Sequence, residues 1–328
     1  MKPKIAFVTG GFSGEAEISY KSAVTFERNI DPEKYDLYKI DVRKDGWFHQ
    51  LADGTEIPVD KNDFSILSED RRIHFNAVLI GIHGSPGEDG KLQGYFDMLG
   101  IPYTSCDCAT SAITFNKRYT VAIAGAAGIP VANSVLLFKK DSKSPDELVK
   151  HLRFPVFVKP NNGGSSIGMS KVNAPSEELG RAIEKAFRED EQVLVEEFID
   201  GRELTIGVFK SKGAIIPLPI TEILSKNEFF DFEAKYHGAS SEITPAEIDD
   251  ELALLVREVA VKAYTIFNCR GIIRIDFIYH QKEGKLYMLE INTVPGQSEA
   301  SLVPQQLRIL GWTLTDFYTA LIEECLNN

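Results

Sequence analysis

Apolar and polar positions alternate along Ile272–Tyr279 and Leu286–Ile291, with the polar turn His280–Lys285 between them, a pattern that predicts an antiparallel hairpin. A turn centred on Glu283 sets Asp276 opposite Glu290 and Arg274 opposite Asn292. Side chains two apart in a strand share a face. Arg274, Asp276, Glu290 and Asn292 therefore project to one side, and Ile273, Ile275, Phe277, Leu289 and Ile291 to the other. Short apolar runs predict buried strands at Lys4–Thr9, Tyr35–Asp41, Asn76–Ile82, Phe154–Lys159 and Gln192–Phe198, with another in IDGRELTIGVF. Helical spacing predicts a helix ending near Asn29, one over Ala109–Gly125 and one over Asp316–Leu326. A fourth follows Thr244-Pro245-Ala246-Glu247, which has the form of a capping box with proline at the first helical position. Lys44–Ile57 reads as a surface hairpin with His49 exposed. The N-terminal order is βαβα, so the first domain is α/β with a parallel sheet.

Composition narrows the class. The chain has 328 residues, 43% hydrophobic and 26% charged, enough for two or three domains of a soluble protein, with no run long enough to span a membrane. MKPKIAFVTGG reads as a first strand and not as a signal peptide. A formal charge of −12 argues against a nucleic-acid surface and requires that cations serving an anionic ligand be gathered locally. Cys106, Cys108, Cys269 and Cys325 match neither a zinc spacing nor a disulfide framework, which points to a reducing cytoplasm.

The hairpin carries the sharpest chemistry. Two carboxylates and an amide oxygen form a hard-oxygen set suited to Mg²⁺, with water and phosphates completing the shell. Arg274 beside them can neutralise developing charge. The bland alternative is a solvated charge ladder, but such ladders mix lysine with glutamate and do not converge acids, an amide and an arginine. GGFSGEAEIS follows the first strand into a helix and makes an anion or substrate site; Glu15 and Ser13 are each open to reading as a plain cap. His83 falls where a strand meets the glycine-rich loop HGSPGEDG, the usual ligand edge of a parallel sheet, and is equally readable as a loop-held histidine. NNGGSSIGM, preceded by Lys159, offers the backbone N–H and hydroxyl donors that suit phosphate. The polar stretch after Phe229–Tyr236 reads as a lid.

GGFSGEAEIS, HGSPGEDGKLQG, FVKPNNGGSSIGMSKV and RIDF…LEINTVPG together, in order and nearly end to end, resemble the ATP-grasp ligases, and within them the D-alanine–D-alanine ligase family. The resemblance implies an ATP-grasp fold behind an N-terminal parallel α/β domain, multidomain and mixed α/β and α+β. The expected division is 1–105 for the N-terminal α/β substrate domain, 106–196 for the central lid domain and 197–328 for the C-terminal domain with the hairpin. It implies transfer of the ATP γ-phosphate to one D-alanine and attack by a second on the acyl phosphate. Asp276, Glu290 and Asn292 would hold two Mg²⁺ or Mn²⁺ ions. Lys117, Lys159 and Lys235 would contact phosphates, Glu196, Glu197, Phe198 and Ile199 would line the adenine, and Glu203 would bind the ribose. Arg274 with the Gly296 N–H would stabilise the oxyanion. Glu15 would hold the first ammonium with His83 nearby, and Ser165 and Tyr236 would bond with Glu15 to orient substrates. Ser301 and the Leu302 N–H would take the second carboxylate.

Some positions depart from the family pattern: Phe230 and Phe232 where some relatives have tyrosine, Asn162-Gly163 for a charged pair, Glu197 for a lysine, and Gln297–Ala300. None touches the metal or oxyanion residues. Retention of Tyr236 favours an amine as second nucleophile over the hydroxyl of D-lactate, the alternative substrate. A homodimer and a bacterial cytoplasmic role in peptidoglycan precursor synthesis are likewise implied, with no nucleic-acid or membrane partner.

Overall fold

The structure, a computed structural model, describes residues 1–51, 53–141, 144–225, 240–327. Its first sheet is built on β1 (Lys4–Gly10), whose apolar run is almost wholly buried. Helix α1 (Ala16–Asn29) crosses over to β2 (Asp36–Val42), and the sheet continues through β3 (Trp47–Gln50), β4 (Glu56–Asp60), β5 (Ser65–Ser68) and β6 (Arg71–Ile73) to β7 (Ala77–Ile80). The strand order is β6-β5-β4-β3-β2-β1-β7. Only β1 with β2 and β1 with β7 pair in parallel, while β2 to β6 form an antiparallel meander. The expected surface hairpin is thus part of the main sheet. His49 is buried, contrary to expectation, its Nδ1 2.9 Å from the Lys39 carbonyl oxygen. A two-stranded ribbon would expose it; the added strands and the Tyr38 ring beside it cover it.

After α2 (Lys91–Leu99) the expected single helix over Ala109–Gly125 is two, α3 (Cys108–Phe115) and α4 (Lys117–Ala126). Asn116 between them has an extended backbone, accepts from the Tyr119 N–H and bridges to Asn162. An asparagine whose side chain caps the next helix competes with continuation of the previous one. The second sheet, in the order β10-β9-β11-β8, comprises β8 (Ser134–Phe138), β9 (Val156–Pro160), β10 (Ser170–Val172) and β11 (Gln192–Glu197). Helices α5 (Pro145–Val149) and α6 (Glu177–Ala186) pack over it, with Leu179, Ile183 and Ala186 against Val156, Val158 and Val193.

The third sheet contains β12 (Arg202–Ser211), β13 (Ala214–Pro217), β14 (Thr221–Ser225), β15 (Ser240–Ile243), β16 (Ile272–His280) and β17 (Lys285–Asn292). Helix α7 (Asp250–Ile266) precedes β16, and α8 (Leu302–Ile309) and α9 (Leu314–Leu326) close the chain. Alternation decides the layers. Leu204, Ile206, Val208, Ile273, Ile275 and Phe277 face α7 through Val256, Ala260 and Tyr264. At the far end of the other face, Phe209 and Ile272 meet Val303, Leu307 and Phe317, and this cluster continues to Ile5, Phe7 and Phe26 of the first sheet. The expected capping box does not start α7: Thr244-Pro245 is a cis peptide, and Asp249 caps the helix by accepting from the Leu252 N–H. Among the described residues no helix is long and apolar enough to cross a membrane.

Candidate active site

The hairpin of β16 and β17 has the expected register where the polar residues lie: Arg274 opposite Asn292 and Asp276 opposite Glu290. Beyond Asp276 a bulge shifts the pairing so that Phe277 faces Met288. Leu289 therefore leaves the apolar face assigned to it and lines the cleft, while Met288 is buried in the core. Arg274 clamps Asp276 with two bonds, Nε to Oδ1 at 2.9 Å and a terminal nitrogen to Oδ2 at 2.8 Å. Thr205 Oγ1 donates to Oδ1 at 2.5 Å from the neighbouring strand, and Asn292 Nδ2 to Oδ2 at 3.3 Å. Lys117 Nζ stands 3.5 Å from Glu290 Oε2 and donates to the Gly163 carbonyl at 2.6 Å. The donor set fits a divalent cation: a mostly buried carboxylate and a second opposite it, both facing a cleft open to water and phosphate oxygens, with the Asn292 amide in the small cavity that adjoins it at Glu290 and Lys117. In this structure protein cations neutralise both carboxylates. Among the described residues no cluster of three His, Cys, Asp or Glu side chains could hold a metal; the hairpin offers two carboxylates and an amide.

A cavity of about 450 Å³ separates the second and third sheets. On one side lie Lys159, the loop 163–167 and the strand end Glu196–Ile199; on the other, Glu203, Asp276 and Glu290. Lys159 donates to Glu196 at 2.8 Å, both side chains being largely enclosed. Glu197 points away from its neighbour Glu196 and is held by Arg153, whose backbone N–H, Nε and a terminal nitrogen donate at 3.0, 3.0 and 2.8 Å. Those bonds outweigh burial and lower its carboxyl below the usual range.

The Gly/Ser loop reaches the first domain. Ser165 Oγ donates to Glu15 Oε1 at 2.9 Å, and Ser165 and Ser166 both have positive φ. Glu15 opens α1 but makes no side-chain cap, so its carboxylate is directed to the loop. His83 is buried, its Nε2 3.0 Å from Ser22 Oγ and its N–H donating to Ser19 Oγ. Burial lowers it to about 4, Arg274 adding to the effect and a bond with the Val294 backbone opposing it. The imidazole is neutral at neutral pH. Gly296 lies against Ser301: a Cβ there would meet Ser301 Oγ at 2.9 Å. Ser301 stands at the N-terminus of α8, uses its hydroxyl on Ser298 at 2.7 Å and leaves the helix without a side-chain cap. Lys235 and Tyr236, with Phe230 and Phe232, lie outside the described residues.

Sequence reasoning missed Glu88 and Thr205. Glu88 accepts from the Gly84 and Val294 N–H groups at 2.6 and 3.2 Å, joining the His83 loop to the end of the hairpin. Burial, with Glu15 beside it, pushes its carboxyl up to about 8. Glu88 stands inside HGSPGEDG, whose acid was a usable signal. Thr205 is the cross-strand partner of Asp276, a pairing that spans some seventy residues and has no local signature.

Two sheets gripping a nucleotide-sized cleft, with a Gly/Ser loop on one and an acidic hairpin on the other, define the ATP-grasp ligases. Family models described as D-ala D-ala ligase N-terminus and D-ala D-ala ligase C-terminus match residues 4–106 and 123–323. The chain belongs to the D-alanine–D-alanine ligase family. It is 46% identical over 328 residues to the D-alanine--D-alanine ligase of Parabacteroides distasonis, covering 100% of this chain and 99% of the relative. The D-alanine--D-alanine ligase of Porphyromonas gingivalis is 42% identical over 328 residues, 99% of this chain and 98% of the relative. Among solved structures, D-alanyl-alanine synthetase A of Vibrio cholerae superposes with a TM-score of 0.88 at 29% identity, covering 100% and 99% of the two chains. The D-alanine--D-alanine ligase of Bacillus anthracis complexed with ATP gives 0.78 at 29% identity, covering 99% and 98%.

Proposed function

We propose that this chain joins two D-alanines into D-alanyl-D-alanine at the expense of ATP, supplying the dipeptide for peptidoglycan precursors. The observation that carries the reading is the hairpin register, which sets Arg274 and Asp276 against Asn292 and Glu290 beside Lys117 at the mouth of the cleft. Glu196–Ile199 line the adenine and Glu203 binds the ribose. Lys117 and Lys159 exchange their present partners for phosphate oxygens, gathering positive charge within a chain of net charge −12. Asp276, Glu290 and Asn292 hold two Mg²⁺ or Mn²⁺ ions. Bound there, the metals neutralise the triphosphate and polarise the transferring phosphoryl group.

Glu15 takes the ammonium of the first D-alanine, and Ser165 fixes that carboxylate's orientation. Neutral His83 adds no competing charge beside the ammonium. The first carboxylate attacks the γ-phosphorus and ADP leaves, giving D-alanyl phosphate. Ser301 and the Leu302 N–H bind the carboxylate of the second D-alanine, where an α-helix N-terminus favours an anion. Its amine attacks the acyl carbon, Arg274 and the Gly296 N–H stabilise the oxyanion, and phosphate departs. The same reading divides the chain at 105 and 196 into substrate, lid and C-terminal domains and places a homodimer in the bacterial cytoplasm.

Phosphate release with ATP, Mg²⁺ and D-alanine, compared with D-alanine plus D-lactate or D-serine and with L-alanine, tests this, with products identified by mass. D-alanyl-D-alanine is expected from D-alanine alone. A mixed product preferred over it, or no release with D-alanine, overturns the assignment.

A further inference from the structure

The third sheet has a gap that its strands leave open. On one edge β12 pairs with β14 over Glu203–Thr205 and with β13 over Val208–Ser211, and the pairing lapses between them. The Gly207 carbonyl is met by the Leu218 N–H at 2.8 Å. Gln306, from α8, meets the rest. Its Oε1 accepts from the Gly207 N–H at 3.0 Å, and its Nε2 donates to the Thr205 carbonyl at 3.2 Å and to Thr221 Oγ1 at 3.1 Å. A primary amide carries the donor and acceptor of a peptide group, so this side chain replaces the missing piece of strand. It is 0% exposed and bonded at both ends. Gly207 makes room for it, since a Cβ there would lie 2.9 Å from Gln306 Oε1 and 2.7 Å from a Leu218 methyl.

What Gln306 braces is the backbone opposite the reacting residues. Thr205 and Gly207 are the cross-strand partners of Asp276 and Arg274, and Thr205 Oγ1 also bonds Asp276 directly. Thr221 Oγ1 continues to Thr244 Oγ1 at 2.7 Å, just beyond β15. The same helix begins at Leu302 behind Ser301. One buried amide thus joins the helix start to the strand that backs the hairpin.

We propose that Gln306 is a positioning residue that fixes the second-substrate site relative to Arg274 and Asp276. The inference rests on the reading of Ser301 and the Leu302 N–H as the site of the second carboxylate. Removing the amide leaves the helix folded but free to shift against β12, so capture of the second D-alanine suffers while nucleotide binding does not.

The test compares Gln306→Met with Ser301→Ala by steady-state kinetics and by positional isotope exchange in ATP with D-alanine, which follows D-alanyl phosphate formation. Gln306→Met is expected to raise KM for the second D-alanine about tenfold, leaving KM for ATP within about twofold and exchange intact. A lowered Tm with both KM values unchanged overturns the proposal and leaves Gln306 structural. A rise in both KM values together overturns it too. If Ser301→Ala raises the second KM and Gln306→Met does not, the brace alone fails. If Ser301→Ala leaves that KM unchanged, it is the reading of the helix start that fails. Should Gln306→Met not fold, Gln306→Asn keeps the amide but shortens it by one methylene, so that it no longer spans Gly207 N–H and the Thr205 carbonyl, and is held to the same outcomes.

Discussion

Arg274 reaches Asp276 through two nitrogens of one planar guanidinium, a fork that an ammonium cannot reproduce. Arg274→Lys keeps the charge but gives up the fixed direction of the N–H groups on which the role proposed for it at the oxyanion depends. It is expected to lower kcat by roughly 10²-fold with KM for ATP little changed, as read by phosphate release. His83 gives a prediction of a different kind. Its folded value is near 4 because burial opposes the charged ring, while an unfolded histidine titrates near 6.5. Between those values the unfolded chain holds the extra proton, so stability rises with pH across the window and is lost as pH falls from about 6.5 toward 4. Denaturant midpoints measured over pH 4 to 7 are expected to show a shallower slope in His83→Gln than in the parent chain; an unchanged slope would assign the acid sensitivity to other groups. Glu15, Ser165 and Arg274 stand out in sequence because each lies within a compact motif. Gln306 does not: the role proposed for it comes from a lapse in the pairing of β12 between its β14 and β13 partners, which no periodicity reveals.

At the scale of elements, alternation fixed the faces of β16, but the turn lies half a residue short of Glu283, and the polar quartet keeps its expected register because the bulge after Asp276 offsets that difference. The bulge after Asp276 was not readable, because one extra residue costs the pattern nothing until its partner strand is known. Likewise Ala109–Gly125 has continuous helical spacing, and it is divided at Asn116, which caps α4 and bridges to Asn162. In the Gly/Ser loop the packing between elements is close. A Cβ on Gly164 would stand 2.6 Å from Glu15 Oε1, a contact neither atom can absorb without displacement. Gly164→Ala is expected to push the loop off Glu15, break the Ser165 bond and raise KM for the first D-alanine about tenfold. Global stability should fall by less than about 1 kcal/mol, because the loop is not core. Kinetics with D-alanine varied at saturating ATP, beside a urea titration, separates the two effects; a large loss of stability with an unchanged KM contradicts the contact's proposed role.

Across the whole molecule, the cleft belongs to no single sheet. Its walls are β9, β11 and the Gly/Ser loop on one side and β12, β14, β16 and β17 on the other. A nucleotide seated there touches both, binds only the folded arrangement and stabilises it by mass action, about 2.7 kcal/mol at a hundredfold excess over Kd. The share of the proposed metal is separable. Without it, Asp276 and Glu290 bring two negative charges toward the triphosphate, offset in part by the cations beside them, Arg274 and Lys117. In a chain already at −12, that repulsion has no distant cations to relieve it, since charges beyond about 10 Å are screened at ordinary salt. Urea unfolding with ATP and Mg²⁺ is therefore expected to show the full gain, and the same titration with EDTA a much smaller one, with no turnover needed for either reading. Equal stabilisation in both takes the metal away from Asp276, Glu290 and Asn292 but leaves the nucleotide in the cleft. Absence of stabilisation in both removes the nucleotide from the cleft itself, and the roles given to Lys117, Lys159 and Glu203 go with it.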